Sequence, residues 1–462
     1  MQSGSETVRS DLAVKQRASA PRVVSQTPAS NPQGGDQLGL FVLASAGMLL
    51  LAPKFVVSAY ILMSRWLADN AAQPDLSFLP DVPLILPIGV TLALLTFRLE
   101  RITRISALVI ALSLTLAWTY APLDPRFAAL LAAFTLTAYG LIRLRLPRFP
   151  VALLMTAFVV ASLVAAVRWW SETPAVVVLG GFPVLVPMLW YSVYEHGSRT
   201  VLSLRRFLLY IAGRLFSSPV VTYRDLFTPA EGRELTVTRW AGVRTLYIAL
   251  LASIATRLAT AVLAIPAIES FTGLSLLMIS YLDYVGYCCG IVVRFNTFIG
   301  VLRLFGVPVR SNFRYWLLAR TPNEHWQRWN ILAREWFLTF VFYPIMRARR
   351  WLFAAVMTAL LSAGALHAVP VMLINGFHAP DVASRLVYWT VNGLAIYLVI
   401  KLPMLYPNLV GRLRISDSRA WSVAGIVLTS AFYAVLHGLR SASGSWAEMG
   451  DYVGRLLAGL PV

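Results

Sequence analysis

Residues 351–374 read WLFAAVMTALLSAGALHAVPVMLI, 24 consecutive positions without a charged side chain. A helix needs only ~20 predominantly apolar residues to cross the hydrocarbon core of a bilayer. Runs of this kind recur along the chain, separated by arginine-rich loops. Composition agrees: 58% of the residues are hydrophobic and 13% are charged, whereas an ordinary soluble domain carries about 25% charged residues. A soluble enzyme, a disordered chain and a disulfide scaffold are all excluded. The fold class expected is an all-α polytopic membrane protein.

Eleven spans are expected, at 38–64, 82–97, 105–121, 127–142, 149–167, 174–194, 245–268, 270–302, 351–374, 386–409 and 420–439. Two further apolar segments, 207–223 and 336–346, are too short to cross. They read as re-entrant or interfacial, which requires protein or a hydrated cavity to cover their backbone. The organisation expected is a disordered tail over 1–36, N-terminal helices over 37–195, a core with re-entrant segments over 196–410, and a last helix and tail over 411–462.

Charge orients the chain. There are 40 Lys+Arg against 21 Asp+Glu, a formal +19. The loop at 65–81 is acidic, with Asp69, Asp75 and Asp81, while Arg98, Arg101 and Arg104, then Arg143, Arg145 and Arg148, mark alternate loops. The positive-inside rule places those arginines, and the N-terminus, in the cytoplasm. The expectation is a multi-pass protein of the cell inner membrane. Nucleic-acid binding would need a basic stripe on a water-exposed face, and here the arginines cluster at span ends.

Polar groups within apolar runs are costly and therefore informative. His196, His325 and His378 lie at segment ends or in loops, where interfacial placement accounts for them. His367 lies inside a span, with Ala363 and Gly364 one helical turn before it. Those small neighbours would admit a backbone or a narrow substrate to the imidazole, which could take a proton from a hydroxyl; the alternative is a helix–helix hydrogen bond. Asp283 also lies deep in an apolar run, where a structural ion pair with Arg257 or Arg294 is expected. The adjacent Cys288 and Cys289 build no metal or disulfide framework, and no metal site is expected.

A second constellation, ARTPNEHWQRWNILAREWFLTFVFYPI over 319–345, interleaves Trp326, Trp329 and Trp336 with arginines. An amphipathic interfacial helix would carry that pattern. Asn330, where the chain dips toward the bilayer, could also donate an amide N–H to a carbonyl oxygen.

This stretch resembles the signature of the membrane-bound O-acyltransferase family, roughly EFWRRWH before a short segment ending YIPL. Here it runs Glu324-His325-Trp326-Gln327-Arg328-Trp329-Asn330 and ends Phe342-Tyr343-Pro344-Ile345. Other pieces follow in the family's order: FSSPVVTYRDL at 216–226, YLDYVGYCCG at 281–290, SNF at 311–313 and LLSAGALHAV at 360–369. Asn330 stands where the usual bacterial signature has histidine; other branches of the family use asparagine there.

The resemblance implies an enzyme, an integral-membrane O-acyltransferase with helices around a central tunnel. It would move an acyl group, expected to be acetyl, from a cytosolic thioester (acyl-CoA or acyl-carrier protein, with no bound cofactor) to a hydroxyl of an exported glycan or lipid-linked sugar. His367 would be the general base and Asn330 would orient the acyl carbonyl. Trp326, Arg328, Trp329, Asn312, Arg320, Asp283 and Tyr287 are carried over as substrate-binding positions, and Arg224 as a motif position. Eight arginines between 310 and 350, against Glu324 and Glu335, suit coenzyme A phosphates or an acidic carrier, or simply mark topology. Expected partners are the bilayer, the donor, the acceptor and a periplasmic or extracellular protein. His437, in YAVLHGL, is a rival base, but only 25 residues follow it, and its loss is expected to be tolerated. A transporter or flippase for lipid-linked saccharides is the alternative function, and a structural membrane subunit a third.

Overall fold

The computed structural model describes residues 85–96, 99–120, 125–144, 146–169, 175–196, 202–211, 220–264, 271–375, 377–405 and 419–458. The chain divides into two units, 1–40 and 41–462, and every described residue belongs to the second. The expected tail over 1–36 and first span over 38–64 lie outside the described residues, as do the phenylalanine, serines and proline of 216–219.

The described residues contain helices and no strand. Five helices coincide with the expected spans from 82 to 194: α1 (Ile85–Leu95), α2 (Arg101–Tyr120), α3 (Pro125–Arg143), α4 (Arg148–Trp169) and α5 (Ala175–Glu195). Two short helices follow, α6 (Leu204–Ile211) and α7 (Tyr223–Phe227). The long pair α8 (Gly232–Leu263) and α9 (Gly273–Leu304) comes next. Then come the short α10 (Pro322–Arg328), α11 (Ile331–Phe337) and α12 (Tyr343–Arg349). The chain closes with α13 (Leu352–Asn375), α14 (Ala379–Leu405), α15 (Arg419–Ser441) and α16 (Trp446–Ala458).

Among the described residues, five helices are long and apolar enough to cross a membrane: α8, α9, residues 352–372 of α13, α14, and residues 422–441 of α15. Their outer faces carry exposed Leu251, Leu258, Met278, Leu398 and Leu428. Water would penalise such a surface, whereas lipid tails accept it. The protein is a multi-pass helical membrane protein.

Lipid provides no hydrophobic drive between helices, so contacts depend on close approach. On α8, a Cβ at Gly242 would lie 2.9 Å from the Gly300 carbonyl oxygen of α9; a Cβ at Gly300 would lie 2.6 Å from a methyl of Leu246. Glycine at both positions lets the two backbones meet. Gly306, at φ 89°, ends α9: its N–H reaches the Arg303 carbonyl and the Val307 N–H reaches Leu302. This is the Schellman arrangement, which needs a left-handed residue. Arg303 then donates to the carbonyls of Val309 (2.8 Å) and Ala241 (3.3 Å), binding the start of α8 to the exit from α9.

Of the two short apolar segments, 207–223 lies partly outside the described residues, and 336–346 does not form a single long helix. Over 331–349 the chain runs α11, a π-helical turn at Leu338–Phe342 and α12. Pro344, near the start of α12, removes a backbone donor and so favours the irregular turn before it. Phe340 packs this turn into the α5 aromatics Trp190, Tyr191 and Tyr194.

Candidate functional site in an interhelical cavity

α10 begins on a sequence signal. Thr321 caps it by accepting the Glu324 N–H (3.1 Å), Pro322 occupies its first turn, and Glu324 accepts the Arg320 N–H (2.6 Å). The T-x-x-E spacing with proline inside is the expected helix start. α10 is short, and Asn330 turns the chain into α11 at φ 46°, ψ 51°. Asparagine tolerates this left-handed conformation better than most residues.

The turn places Asn330 on a cavity of about 170 Å³ enclosed by α5, α9, α10, α11, α13, α14 and α15. His367 of α13 lines the same cavity, as do His325 and His437. Two positions 37 residues apart thus meet at one space.

Hydrogen bonds fix the orientation of Asn330. The Leu332 N–H points to the Asn312 side-chain oxygen at 3.0 Å, and only an oxygen can accept it. The other end of the Asn312 amide is therefore Nδ2, which donates to Asn330 Oδ1 at 3.1 Å. Asn330 Nδ2 is left as a donor for the cavity. Asn312 itself is fully buried and does not line the cavity.

His367 has a comparably determined tautomer. Its Nδ1 lies 2.7 Å from the Ala363 carbonyl oxygen, which can only accept. Nδ1 therefore carries the proton and Nε2 keeps its lone pair. The ring packs on Trp389 of α14, with centroids 5.3 Å apart. Gly364 makes room for that indole, since a Cβ there would lie 2.8 Å from Trp389 Cδ1.

His325 departs from its expected interfacial place. It is buried, its Nε2 meets the Tyr284 hydroxyl at 3.1 Å, and its ring stacks against Trp329. Burial pushes its pKa down to about 3, opposed by a hydrogen bond with the Trp316 backbone. It is a neutral packing group at ordinary pH.

Asp283 also departs from expectation. Its partners are His437 Nε2 at 3.1 Å and Ser441 Oγ at 3.2 Å, rather than Arg257 or Arg294. A carboxylate fixes the proton on His437 Nε2, as an orienting acid does for a catalytic base. The His437 ring lies between Tyr284 and Tyr287. A second chamber of about 250 Å³ adjoins, containing Asp283, Asp381 and Ser441, and it shares Tyr287, Arg385, His437 and Arg440 with the main cavity.

The remaining motif positions separate. Trp326 and Trp329 line the main cavity; Trp326 Nε1 donates to Asn392 Oδ1 (3.3 Å), and Asn392 Nδ2 donates to the Tyr388 carbonyl (2.8 Å). Arg328 does not line it: its guanidinium pairs with Glu324 and donates to the carbonyls of Tyr315 and Leu318. Arg320, exposed and paired with Glu324 at 3.3 Å, does not line it either. Arg224 is exposed, and its backbone N–H donates to Glu195. Cys288 lines the cavity as a buried free thiol, and Cys289 is likewise buried and free. No group of three or more potential metal ligands occurs among the described residues.

Sequence reasoning missed Arg385, Tyr388, Trp389, Asn392 and Arg440. One signal was present: Arg440 follows His437 by three positions, one helical turn, so the two share a face. No protein-family model matches this chain, and no curated protein matches it either.

Proposed function

We propose that this protein is an O-acyltransferase related to the membrane-bound O-acyltransferase family, transferring an acyl group, expected to be acetyl, from a cytosolic thioester to a hydroxyl of an exported glycan or lipid-linked sugar. The observation that carries the reading is the convergence of Asn330 Nδ2, a free donor, and His367 Nε2, a free acceptor, on one cavity. A donor and a base facing one space are what acyl transfer to a hydroxyl requires.

In this mechanism His367 Nε2 takes the acceptor's hydroxyl proton as its oxygen attacks the thioester carbonyl carbon. Asn330 Nδ2 hydrogen-bonds the oxyanion that forms. The carbon–sulfur bond then breaks, and the departing thiolate takes the proton from the imidazolium. An ester and a free thiol result, and His367 returns to its starting tautomer.

Orientation follows from charge. Exposed Arg310, Arg314, Arg320, Arg347, Arg349 and Arg350 lie between the end of α9 and the start of α13. Asp283 lies in the opposite half of α9, while Arg385 lies near the start of α14 and Arg440 near the end of α15. The positive-inside rule puts the arginine face in the cytoplasm, with the thioester entering there and the acceptor from the second chamber. The inner membrane, a cytoplasmic N-terminus and eleven spans belong to the same reading.

The test is mass spectrometry of cell-surface glycans and lipids with and without the gene. The expected result is a mass increment of one acyl group that disappears in Asn330→Ala and His367→Ala cells. No acyl-dependent difference in any fraction, with altered saccharide export instead, would favour a transporter.

A further inference from the structure

Arg385 and Arg440 are the only arginine, lysine or carboxylate side chains among the residues lining the main cavity; the others are aromatic, aliphatic or neutral polar, or are histidines. The nearby carboxylates belong to the adjoining chamber and are already engaged. Asp381 Oδ2 accepts from Arg385 Nε at 2.9 Å, while Asp283 Oδ2 accepts from His437 and Ser441. Arg385 makes this contact through Nε, so its two terminal amino groups remain available. Arg440 forms no ion pair among the described residues; its guanidinium carbon lies 5.3 Å from the centroid of the Tyr287 ring.

A cation at the last turn of α15 suits the helix dipole, but that would be served equally by a side chain directed to solvent. Arg440 lines both chambers instead. Arg385 sits in the second turn of α14, where the dipole gives a cation nothing. Arg440 stands in no ion pair among the described residues and Arg385 engages Asp381 through Nε alone, so an incoming anion would find guanidinium N–H groups whose planar forks match carboxylate and phosphate oxygens.

We infer that the acceptor carries an anionic group, a carboxylate or a phosphate, beside the hydroxyl to be acylated, and that Arg440, aided by Arg385, holds this group. The inference rests on the acyltransferase reading for the word acceptor, but the anion site can be tested without catalysis.

The experiment is calorimetric titration of the full-length protein in detergent with two matched pairs of probes: glycerol 3-phosphate against glycerol, and methyl glucuronide against methyl glucoside. Charge-assisted hydrogen bonds predict at least ~tenfold tighter binding of one anionic probe over its neutral twin. Whichever pair shows the preference identifies phosphate or carboxylate. Arg440→Gln should remove the preference and Arg440→Lys should keep part of it. His367→Ala should leave it unchanged while abolishing transfer.

Equal binding within both pairs by the wild-type protein would overturn the inference, and this arm requires no variant to fold. An undiminished preference in a folded Arg440→Gln protein would overturn the assignment to Arg440. An anionic preference without transfer of any thioester's acyl group would leave the anion site standing and sink the enzyme reading. Transfer to neutral acceptors with no anionic preference would do the reverse.

Discussion

Asn312 donates its Nδ2–H to Asn330 Oδ1 across 3.1 Å, and this fixes which end of the Asn330 amide remains for the cavity. The relay starts from a backbone group: the Leu332 N–H holds Asn312 Oδ1, so neither amide can be reversed without leaving a polar group unpaired. A residue with no access to the cavity thereby sets the chemistry of one that lines it.

Asn312→Asp tests this relay. The carboxylate would still accept the Leu332 N–H but could not donate to Asn330, whose amide would rotate and give up Nδ2. Acyl transfer should fall by about 10²–10³-fold, the usual loss for one oxyanion donor. The unfolding temperature should also fall, because a carboxylate replaces a fully buried amide, so transfer is compared in protein that remains folded. Full transfer by a well-folded Asn312→Asp protein would remove Asn330 from the mechanism.

His367 and His437 both line the cavity, so the base must be identified by substitution. His367→Ala should lose about 10²–10⁴-fold in transfer rate, the usual contribution of a positioned base. His437→Ala should stay within about tenfold of wild type, because its Nε2 is committed to Asp283 and is not a free acceptor for a hydroxyl proton. The reverse ranking in a single-turnover assay would assign the base to the Asp283–His437 pair.

Gly364→Ala probes the packing behind His367. The added methyl would lie 2.8 Å from Trp389 Cδ1, inside van der Waals contact. Overpacking of this kind costs about 1–3 kcal/mol. A lowered unfolding temperature in detergent, with weaker transfer as Trp389 shifts against the imidazole, is the expected outcome.

Stability should fall in mild acid because of His325. Its folded pKa, about 3, is depressed below the ordinary histidine value by burial. The unfolded chain therefore binds a proton in a range where the folded protein does not. Stability is fully present above the unfolded value and decreases as pH falls from about 6.5 toward 3. Unfolding temperatures measured between pH 7 and pH 5 should decline, and His325→Gln should flatten that slope.

The bilayer as solvent, the helical class and the approximate places of five long apolar helices were legible in the chain, because each depends on local information, although α8 starts at Gly232 rather than 245 and α14 at Ala379 rather than 386. Residues 351–374 announce α13 by the length of their uncharged run, and α13 spans Leu352–Asn375. Thr321, Pro322 and Glu324 likewise announce the start of α10. Asn330 and His367 were legible as unusual polar groups near or within apolar sequence.

Their meeting was not legible, nor were the partners around them. Asp283 and His437 are 154 residues apart, and the arginines near Asp283 in sequence are not its partners. His325 looked interfacial by position and is buried by Tyr284, Trp316, Trp329 and Tyr433. Arg385 and Arg440 enter one cavity from different helices. Hydropathy and capping are summed over neighbours in the chain, so the sequence by itself determined which solvent the protein occupies and where its helices run. Which polar side chains face each other across a helix boundary depends on rotation and depth of packing, set here by glycines such as Gly242, Gly300 and Gly364. That part only the tertiary structure decided.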